Sequence, residues 1–336
     1  MVVAKYPATR GHTTVINNLC KGLSELGHET AIGAFSFNEE PPFNIKKIIL
    51  NKFELLKKGV KYLDYDIIHS HQPRTHYYLL TKKPTKPVVF HYHGAANKIQ
   101  EINFKISMAL YRKKIKKIIS VSKTGIDQIE KMIGPISAEV IYNGADTDFF
   151  NINLPRTFKK GNPQLLFVSA LHKYKNAGIL INAMPEILKK FPYAHLQIVG
   201  DGEDLLRLNE LIKKSNLEKK VELAGKVDND ELRLRYSSCD IYLSASTFEV
   251  CPVPTIEAMS SGKPLVLYDI KPHREMIESS MAGVIFSNLD KKEICDRINE
   301  VVEKNHQYSK AARIFAEKHD WKNICKQVAK IYEEIS

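Results

Sequence analysis

Ser244-Ala245-Ser246-Thr247-Phe248-Glu249-Val250-Cys251-Pro252-Val253-Pro254-Thr255-Ile256-Glu257-Ala258-Met259 is the stretch from which the organisation of this chain is read. It follows a short apolar run at 241–243, which has the length and composition of a buried strand, and passes through a proline-containing turn into a helical stretch. Strand, turn and helix make one half of a βαβ unit, and the same alternation recurs on both sides. In the second half of the chain the other strands are predicted at 165–169, 196–199, 221–223, 265–268 and 284–286. The first half starts the pattern independently, at 2–4, 30–35, 66–70, 88–91, 118–121 and 139–141. There a helix over 13–26 opens after Gly11 and closes on Gly27, a glycine in the usual place for a helix C-terminus. Residues 151–163 hold two prolines, a glycine and a Lys-Lys pair, the composition of a linker. Two helical stretches, 307–318 and 321–335, end the chain with no strand after them, so the stripe Ile324, Val328, Ile331 needs cover elsewhere. The expectation is an α/β protein of two Rossmann-like, doubly wound parallel-sheet domains facing a central cleft. They occupy 1–155 and 156–318, and a terminal helix at 319–336 packs back on the first domain. The first strand is short, which leaves open a start upstream of Met1.

Length and composition agree with two domains. A chain of 336 residues exceeds what one compact core usually organises, and 43% hydrophobic with 26% charged residues is the balance of a globular protein. No run approaches the roughly 18 apolar residues of a membrane-spanning helix, and Lys5 and Arg10 interrupt any signal-peptide layout. Cys20, Cys239, Cys251, Cys295 and Cys325 are odd in number and lack CxxC spacing, which points to a reducing, cytoplasmic setting without a disulfide frame.

The net charge of +12 is uneven: residues 1–155 carry 22 basic and 13 acidic side chains, and residues 156–336 carry 28 and 25. The densest run, Arg112-Lys113-Lys114-Ile115-Lys116-Lys117, follows the apolar Phe104, Ile106, Met108, Leu110 and Tyr111. It reads either as a solvated helix end, where the dipole favours cations, or as an interfacial helix over 104–117 on an anionic membrane surface. The second reading makes the protein peripheral at the cytoplasmic membrane face. No finger, helix-turn-helix or interleaved basic and aromatic strand is present, so nucleic acid is not an expected partner.

Glu249 and Glu257 lie eight positions apart, about two helical turns where the chain is helical, so both carboxylates can face one side. A carboxylate is a bidentate acceptor for vicinal hydroxyls, which ribose and hexoses both offer. The run from Glu249 to Glu257, continued by Ala-Met-Ser-Ser-Gly-Lys-Pro-Leu-Val, resembles the glutamate-x7-glutamate signature of family 4 retaining glycosyltransferases with the GT-B fold. The resemblance extends along nearly the whole chain. It covers the loop from Pro7 to Gly11, Leu26-Gly27-His28-Glu29-Thr30, Asp66-Ile67-Ile68-His69-Ser70-His71, His93-Gly94, Val140-Ile141-Tyr142-Asn143-Gly144-Ala145-Asp146, and Ile198-Val199-Gly200-Asp201-Gly202.

That resemblance implies a nucleotide-sugar donor, UDP- or GDP-linked, and a glycan, phosphorylated or lipid-linked acceptor. It implies that Glu257 accepts the ribose hydroxyls, that Glu249 contacts the transferred sugar, and that Lys175, with Lys173 as second candidate, neutralises the diphosphate. Val250 and Cys251 belong to the donor-side loop. Gly11 offers free amides at a helix N-terminus, Arg10 stands beside it on the acceptor side, and His93 positions the reacting sugar. No side chain is assigned as nucleophile, because in retaining enzymes of this kind the leaving phosphate assists deprotonation of the acceptor. No cofactor and no metal are expected. Three departures stand out: Ala170 where the family carries arginine, Pro252 in place of a glycine within the glutamate signature, and Arg10-Gly11 in place of paired glycines. A sugar-nucleotide epimerase, a phosphorylase or a non-catalytic donor-binding subunit of the same fold are the alternatives.

Some chemistry-bearing patterns are set aside. Asp64-Tyr65-Asp66, Asp146-Thr147-Asp148 and Asp228-Asn229-Asp230 sit at element boundaries, where aspartate caps helices and builds turns. His69-x-His71 and His91-x-His93 place imidazoles in pairs on one strand face, a metal-like spacing, but no acidic cluster accompanies them and they read as hydrogen-bonding groups. The opening glycine loop lacks a full G-x-G-x-x-G, so a nicotinamide cofactor is not expected.

Overall fold

The computed structural model describes residues 1–8 and 10–336, and the side chain of Arg10 lies outside the described set. The chain divides into two compact units, Met1–Gly144 with Trp321–Ser336, and Ala145–Asp320. The division falls between 144 and 145, ahead of the 155/156 boundary expected from composition. The reason is that 145–163 is bonded to the second unit. Arg156 Nη2 donates to Ser238 O at 3.0 Å and to Asp240 Oδ1 at 2.5 Å, and Gln197 Nε2 donates to Phe158 O at 3.0 Å. Arg313 Nη1 donates to Thr147 O, Phe150 O and Ser260 O. A segment may have the composition of a linker, but once its backbone groups find partners in a domain it belongs to that domain.

In the first unit the described strands are β1 (Val2–Val3), β2 (Ala31–Ala34), β3 (Lys46–Ile49), β4 (Ile68–Ser70), β5 (Val88–Tyr92), β6 (Lys117–Ser120) and β7 (Glu139–Val140). They form a parallel sheet in the order β3-β2-β1-β4-β5-β6-β7. Sequence reading passed over β3: two of its four residues are lysines, and its ends are exposed. Such a strand survives at a sheet edge, where charge also discourages pairing with another chain. The helix predicted over 13–26 runs from Arg10 to Glu25, which puts Gly11 inside its first turn. Gly27 ends it with φ +93°.

Helix Trp321–Ile335 packs on helix Arg10–Glu25 with Trp321, Ile324, Cys325, Val328 and Ile331 buried. The two approach so closely at Gly22 that a Cβ there would lie 2.4 Å from Cys325 Sγ. Helix Lys98–Tyr111 corrects the expected interfacial face. Phe104 and Met108 are buried against Phe90, Tyr92, Ile118 and Ile129, while Ile99, Ile102, Ile106 and Leu110 are exposed. By the observed division the first unit carries 25 basic and 13 acidic residues and the second 25 of each, so the whole charge excess belongs to the first.

The second unit holds β8 (Gln164–Val168), β9 (His195–Val199), β10 (Val221–Gly225), β11 (Ile241–Ser244), β12 (Leu265–Tyr268) and β13 (Gly283–Phe286). Their order is β10-β9-β8-β11-β12-β13, all parallel. This is the doubly wound arrangement, with its topological switch point between β8 and β11, and ligands of such sheets bind at the carboxyl ends of the strands flanking that point. Helix Ala177–Lys190 covers one face, with Leu180, Ala183, Met184 and Ile187 buried against Phe167, Ile198 and Leu243. Among the described residues no helix is long and apolar enough to cross a membrane. All five cysteines are buried and none is in a disulfide.

Candidate functional site

The switch point of the second unit gathers the residues singled out there. After β8 the chain passes through Ser169–His172 into a tight turn, Lys173–Lys175, which Asn176 ends in the left-handed region (φ 54°, ψ 31°) that asparagine tolerates. The loop is held from behind by Gly200-Asp201-Gly202: Leu171 N donates to Asp201 O at 2.9 Å, and Asp204 N donates to Leu171 O at 3.0 Å. Gly200 has φ +136°, and a Cβ on it would lie 1.8 Å from Ser169 O; one on Gly202 would lie 2.6 Å from Leu171 O. The two glycines therefore set how near the Ser169–Lys175 loop can come to the sheet.

After β11 the second loop carries Glu249. Thr247 donates to Tyr174 O through both its backbone N (2.9 Å) and its hydroxyl (3.0 Å), and Phe248 meets the Tyr174 ring edge-on. The two loops are thus fixed to each other, and Lys175 Nζ donates to Glu249 Oε1 at 2.5 Å. These side chains are 13% and 15% exposed, so the pair is mostly withdrawn from water. Glu257 is buried on helix Val253–Ser260 and accepts a hydrogen bond from Tyr236 Oη at 3.0 Å. Burial, and then the Glu257 charge, hold the Tyr236 hydroxyl well above its ordinary pKa. Burial likewise raises Tyr242, and both Glu249 and Glu257 add to that shift, so the two carboxylates act on one ring.

The other predicted donor residues sit around this centre in different ways. Lys173 is exposed, and after Arg207 it helps depress the Asp204 carboxyl, which Arg207 grips through two 2.6 Å bonds. Val250 and Cys251 are buried. Pro252 and Pro254 flank Val253, so neither position contributes an amide hydrogen at the start of the helix.

In the first unit Gly11 is exposed, with no positive φ and nothing within 4 Å of a notional Cβ. Neither packing nor backbone conformation calls for glycine there, which leaves the room it creates outside the helix. The Arg10 backbone begins the helix; its side chain is outside the described residues. His93 follows β5 and precedes Gly94, at φ +103°. Its ring lies tilted at 43° against that of His12, with centroids 4.5 Å apart, and its Nε2 meets His71 Nδ1 at 2.9 Å. Burial, then the neighbouring imidazoles, hold it neutral, well below the ordinary histidine range.

Two residues at the second unit's site carried no sequence signal. Tyr236 is one. His273 is the other: its Nδ1 meets Tyr268 O at 2.7 Å, its Nε2 is buried without a partner, and its pKa, lowered by burial, feels both Glu249 and Lys175. Both come from elements that only the sheet order brings to the switch point, so no spacing could mark them. Of the aspartate triplets, Asp146 accepts from Phe149 N and Asp228 caps the helix beginning at Asn229, accepting from Glu231 N.

Two doubly wound units, one with a lysine–carboxylate pair and a second carboxylate at its switch point, define the GT-B class of glycosyltransferase. Residues 9–149 match the family described as Glycosyltransferase Family 4, and residues 150–319 match Glycosyl transferases group 1. The chain belongs to this family of glycosyltransferases. It is 25% identical to an uncharacterized glycosyltransferase of Methanocaldococcus jannaschii over 99% of this chain and 97% of that one. It is 24% identical to the phosphatidyl-myo-inositol mannosyltransferase of Mycobacterium tuberculosis over 84% and 77%. Among solved structures, Anabaena HepE in complex with UDP and glucose superposes with a TM-score of 0.82 at 19% identity, covering 99% of both chains.

Proposed function

We propose that this glycosyltransferase moves a hexose-type sugar, with retention and without a divalent metal, from a UDP- or GDP-linked donor to a lipid-linked, phosphorylated or glycan acceptor. The observation that carries the reading is the largely water-shielded Lys175–Glu249 pair, with the buried Glu257, at the switch point of the second unit. In this reading Glu257 accepts the ribose hydroxyls and Glu249 the sugar hydroxyls, while Lys175, with Lys173 behind it, takes up the charge that grows on the leaving diphosphate. The bond from the anomeric carbon to phosphate breaks, the bond to the acceptor oxygen forms on the same face, and the acceptor proton passes to the departing diphosphate. His93, neutral, hydrogen-bonds the sugar. The UDP and glucose named with the HepE structure, and the mannosyl transfer named for the mycobacterial relative, support a nucleotide-sugar donor.

Thermal stabilisation against a panel of UDP-, GDP- and ADP-sugars tests this directly, because a ligand that binds only the native state raises the melting temperature with occupancy. One donor is expected to stand out, equally with and without magnesium. Glu257→Ala is expected to lower kcat/KM for that donor about ten- to 150-fold, the loss of a charge-assisted contact of about 1.5–3 kcal/mol. Normal turnover by that variant would remove Glu257 from the site. Donor binding without transfer to any acceptor would identify a donor-binding subunit instead.

The acceptor reading rests on the first unit. Ile99, Ile102, Ile106 and Leu110 recur at i, i+3, i+7 and i+11 and are all exposed on one helix face. Lys98, Lys105, Arg112, Lys113 and Lys116 flank them, exposed. Lys114 Nζ is instead tied to Leu80 O at 2.7 Å, and Lys117 is paired with Glu139. We propose that this face rests on an anionic lipid surface, where each basic residue contributes about 1 kcal/mol. Replacing Lys105, Lys113 and Lys116 together by alanine is expected to weaken binding to phosphatidylserine vesicles roughly a hundredfold. Unchanged binding, or equal binding to neutral vesicles, would refute it.

A further inference from the structure

The first unit contains a cluster, His69, His71 and His91, to which the proposed transfer reaction gives no role. β4 and β5 pair in parallel with His69 opposite Val89 and Ser70 opposite Phe90. Alternation along each strand then places His69 and His71, and His91 and His93, on one face as a ladder. Ring centroids are 4.6 Å apart for His69–His71, 5.3 Å for His69–His91 and 5.4 Å for His71–His91. All three are buried, and each offers a ring nitrogen within 4.8 Å of the others'. The partners on hand do not satisfy them. Both nitrogens of His91 and Nε2 of His69 are buried without a hydrogen bond. Buried polar atoms left in this state call for an explanation, and an ion is one of the few available.

We propose that His69, His71 and His91 form a binding site for a borderline-soft divalent ion of the zinc type, with water completing a four-coordinate shell. Three imidazoles and a water are a sufficient set for zinc, whereas magnesium and calcium require oxygen ligands that this cluster lacks. Such an ion takes a neutral imidazole through one ring lone pair, and the unpartnered nitrogens of His69 and His91 are available for that use. His69 is already oriented in the manner of a metal ligand: its Nδ1 is bonded to Tyr332 Oη at 2.6 Å, which leaves Nε2 for the ion. His71 contacts His93 Nε2 at 2.9 Å and the Met1 thioether at 3.2 Å, and the sulfur is the weaker of the two to give up. Tetrahedral zinc at its usual ~2.0–2.1 Å bond length brings ligand nitrogens to roughly 3.4 Å from one another, so the rings, now stacked at 11–29° from parallel, rotate as well as close inward on binding. A cavity of about 310 Å³ lined by Met1, Glu29, Asp64, Asp66, His69 and Tyr332 supplies a route, with exposed carboxylates to attract a cation. The pairs set aside for want of acidic neighbours are thus a four-histidine ladder once the strands are laid side by side.

Tag-free, metal-stripped protein titrated with Co2+ is expected to bind one ion per chain and to show the intense visible bands of four-coordinate cobalt, lost on adding Zn2+. Zn2+ is expected to raise the melting temperature, and EDTA to reverse it. His91→Gln and His69→Gln are each expected to weaken binding at least a hundredfold, more than loss of an outer-shell partner does, while His306→Gln, exposed on the second unit, leaves it unchanged. X-ray absorption of the wild-type zinc form should show imidazole scattering, a readout that stands even where a variant fails to fold. Absence of stoichiometric binding, an all-oxygen cobalt spectrum, or binding that survives His91→Gln and His69→Gln would overturn the proposal. None of these outcomes depends on the donor or acceptor of the transfer reaction.

Discussion

Lys175→Ala is expected to lower kcat for sugar transfer about 10²–10³-fold, the usual consequence of removing one preplaced group from a site of developing negative charge. The ammonium sits on a turn whose two flanks are pinned, by Asp201 and Asp204 through Leu171 on one side and by Thr247 through Tyr174 on the other. It therefore needs little reorganisation when the diphosphate departs. Lys173→Ala is expected to cost far less, because Lys173 is exposed and its charge is screened by solvent and salt. The contrast separates the two lysines that sequence reading held as alternatives for one role. Lys175→Ala also leaves Glu249 mostly buried without its cation, so a modest fall in melting temperature should accompany the kinetic loss. Lys175→Arg keeps the charge and should recover part of kcat. Steady-state kinetics beside melting curves for the three variants decide the matter: kcat for Lys175→Ala within about threefold of wild type would transfer the role elsewhere.

Where chemistry and local pattern coincide, the sequence was sufficient. Each strand of the second sheet was placed to within a residue or two, because buried parallel strands read as short β-branched runs that need no knowledge of their neighbours. Spacing, and the resemblance it supports, singled out Glu249, Glu257 and Lys175, which the fold brings to the switch point of the second sheet. What escaped depends on who lies beside whom. β3 escaped because an edge strand with two lysines has little burial to advertise. The unit boundary escaped because 151–163 has a linker's composition, while Ser238, Asp240 and Arg313, the partners of the chain after Gly144, are distant in sequence. On helix Lys98–Tyr111 the apolar residues belong to two faces, and only the sheet beneath shows that Phe104 and Met108 point inward while Ile106 and Leu110 do not. His273 and the histidine ladder are invisible for the same reason: strand order, which one sequence does not state, brings them to their partners.

Gly200→Ala tests whether the Ser169–Lys175 loop is held as described, and its expected effect on stability is large. The residue has φ +136°, so any side chain incurs roughly 1–3 kcal/mol of backbone strain. The new methyl would also meet Ser169 O at 1.8 Å, a backbone atom that no rotamer change can remove, which adds about 1–3 kcal/mol of overpacking. Together these predict a loss of about 2–6 kcal/mol, or roughly 4–24 °C in melting temperature for a unit of this size. Gly225→Ala provides the comparison. It too has a positive φ, +69°, but a Cβ there meets nothing within 4 Å, so only the left-handed strain of about 1 kcal/mol applies. If both variants melt together, close approach of Gly200 to Ser169 is not what fixes the loop. If Gly200→Ala is much the worse, and its surviving folded fraction binds the donor more weakly while Gly225→Ala binds normally, then the same backbone contact that stabilises the unit also sets the position of Lys175. Stability and donor recognition would then rest on one glycine that touches neither phosphate nor sugar.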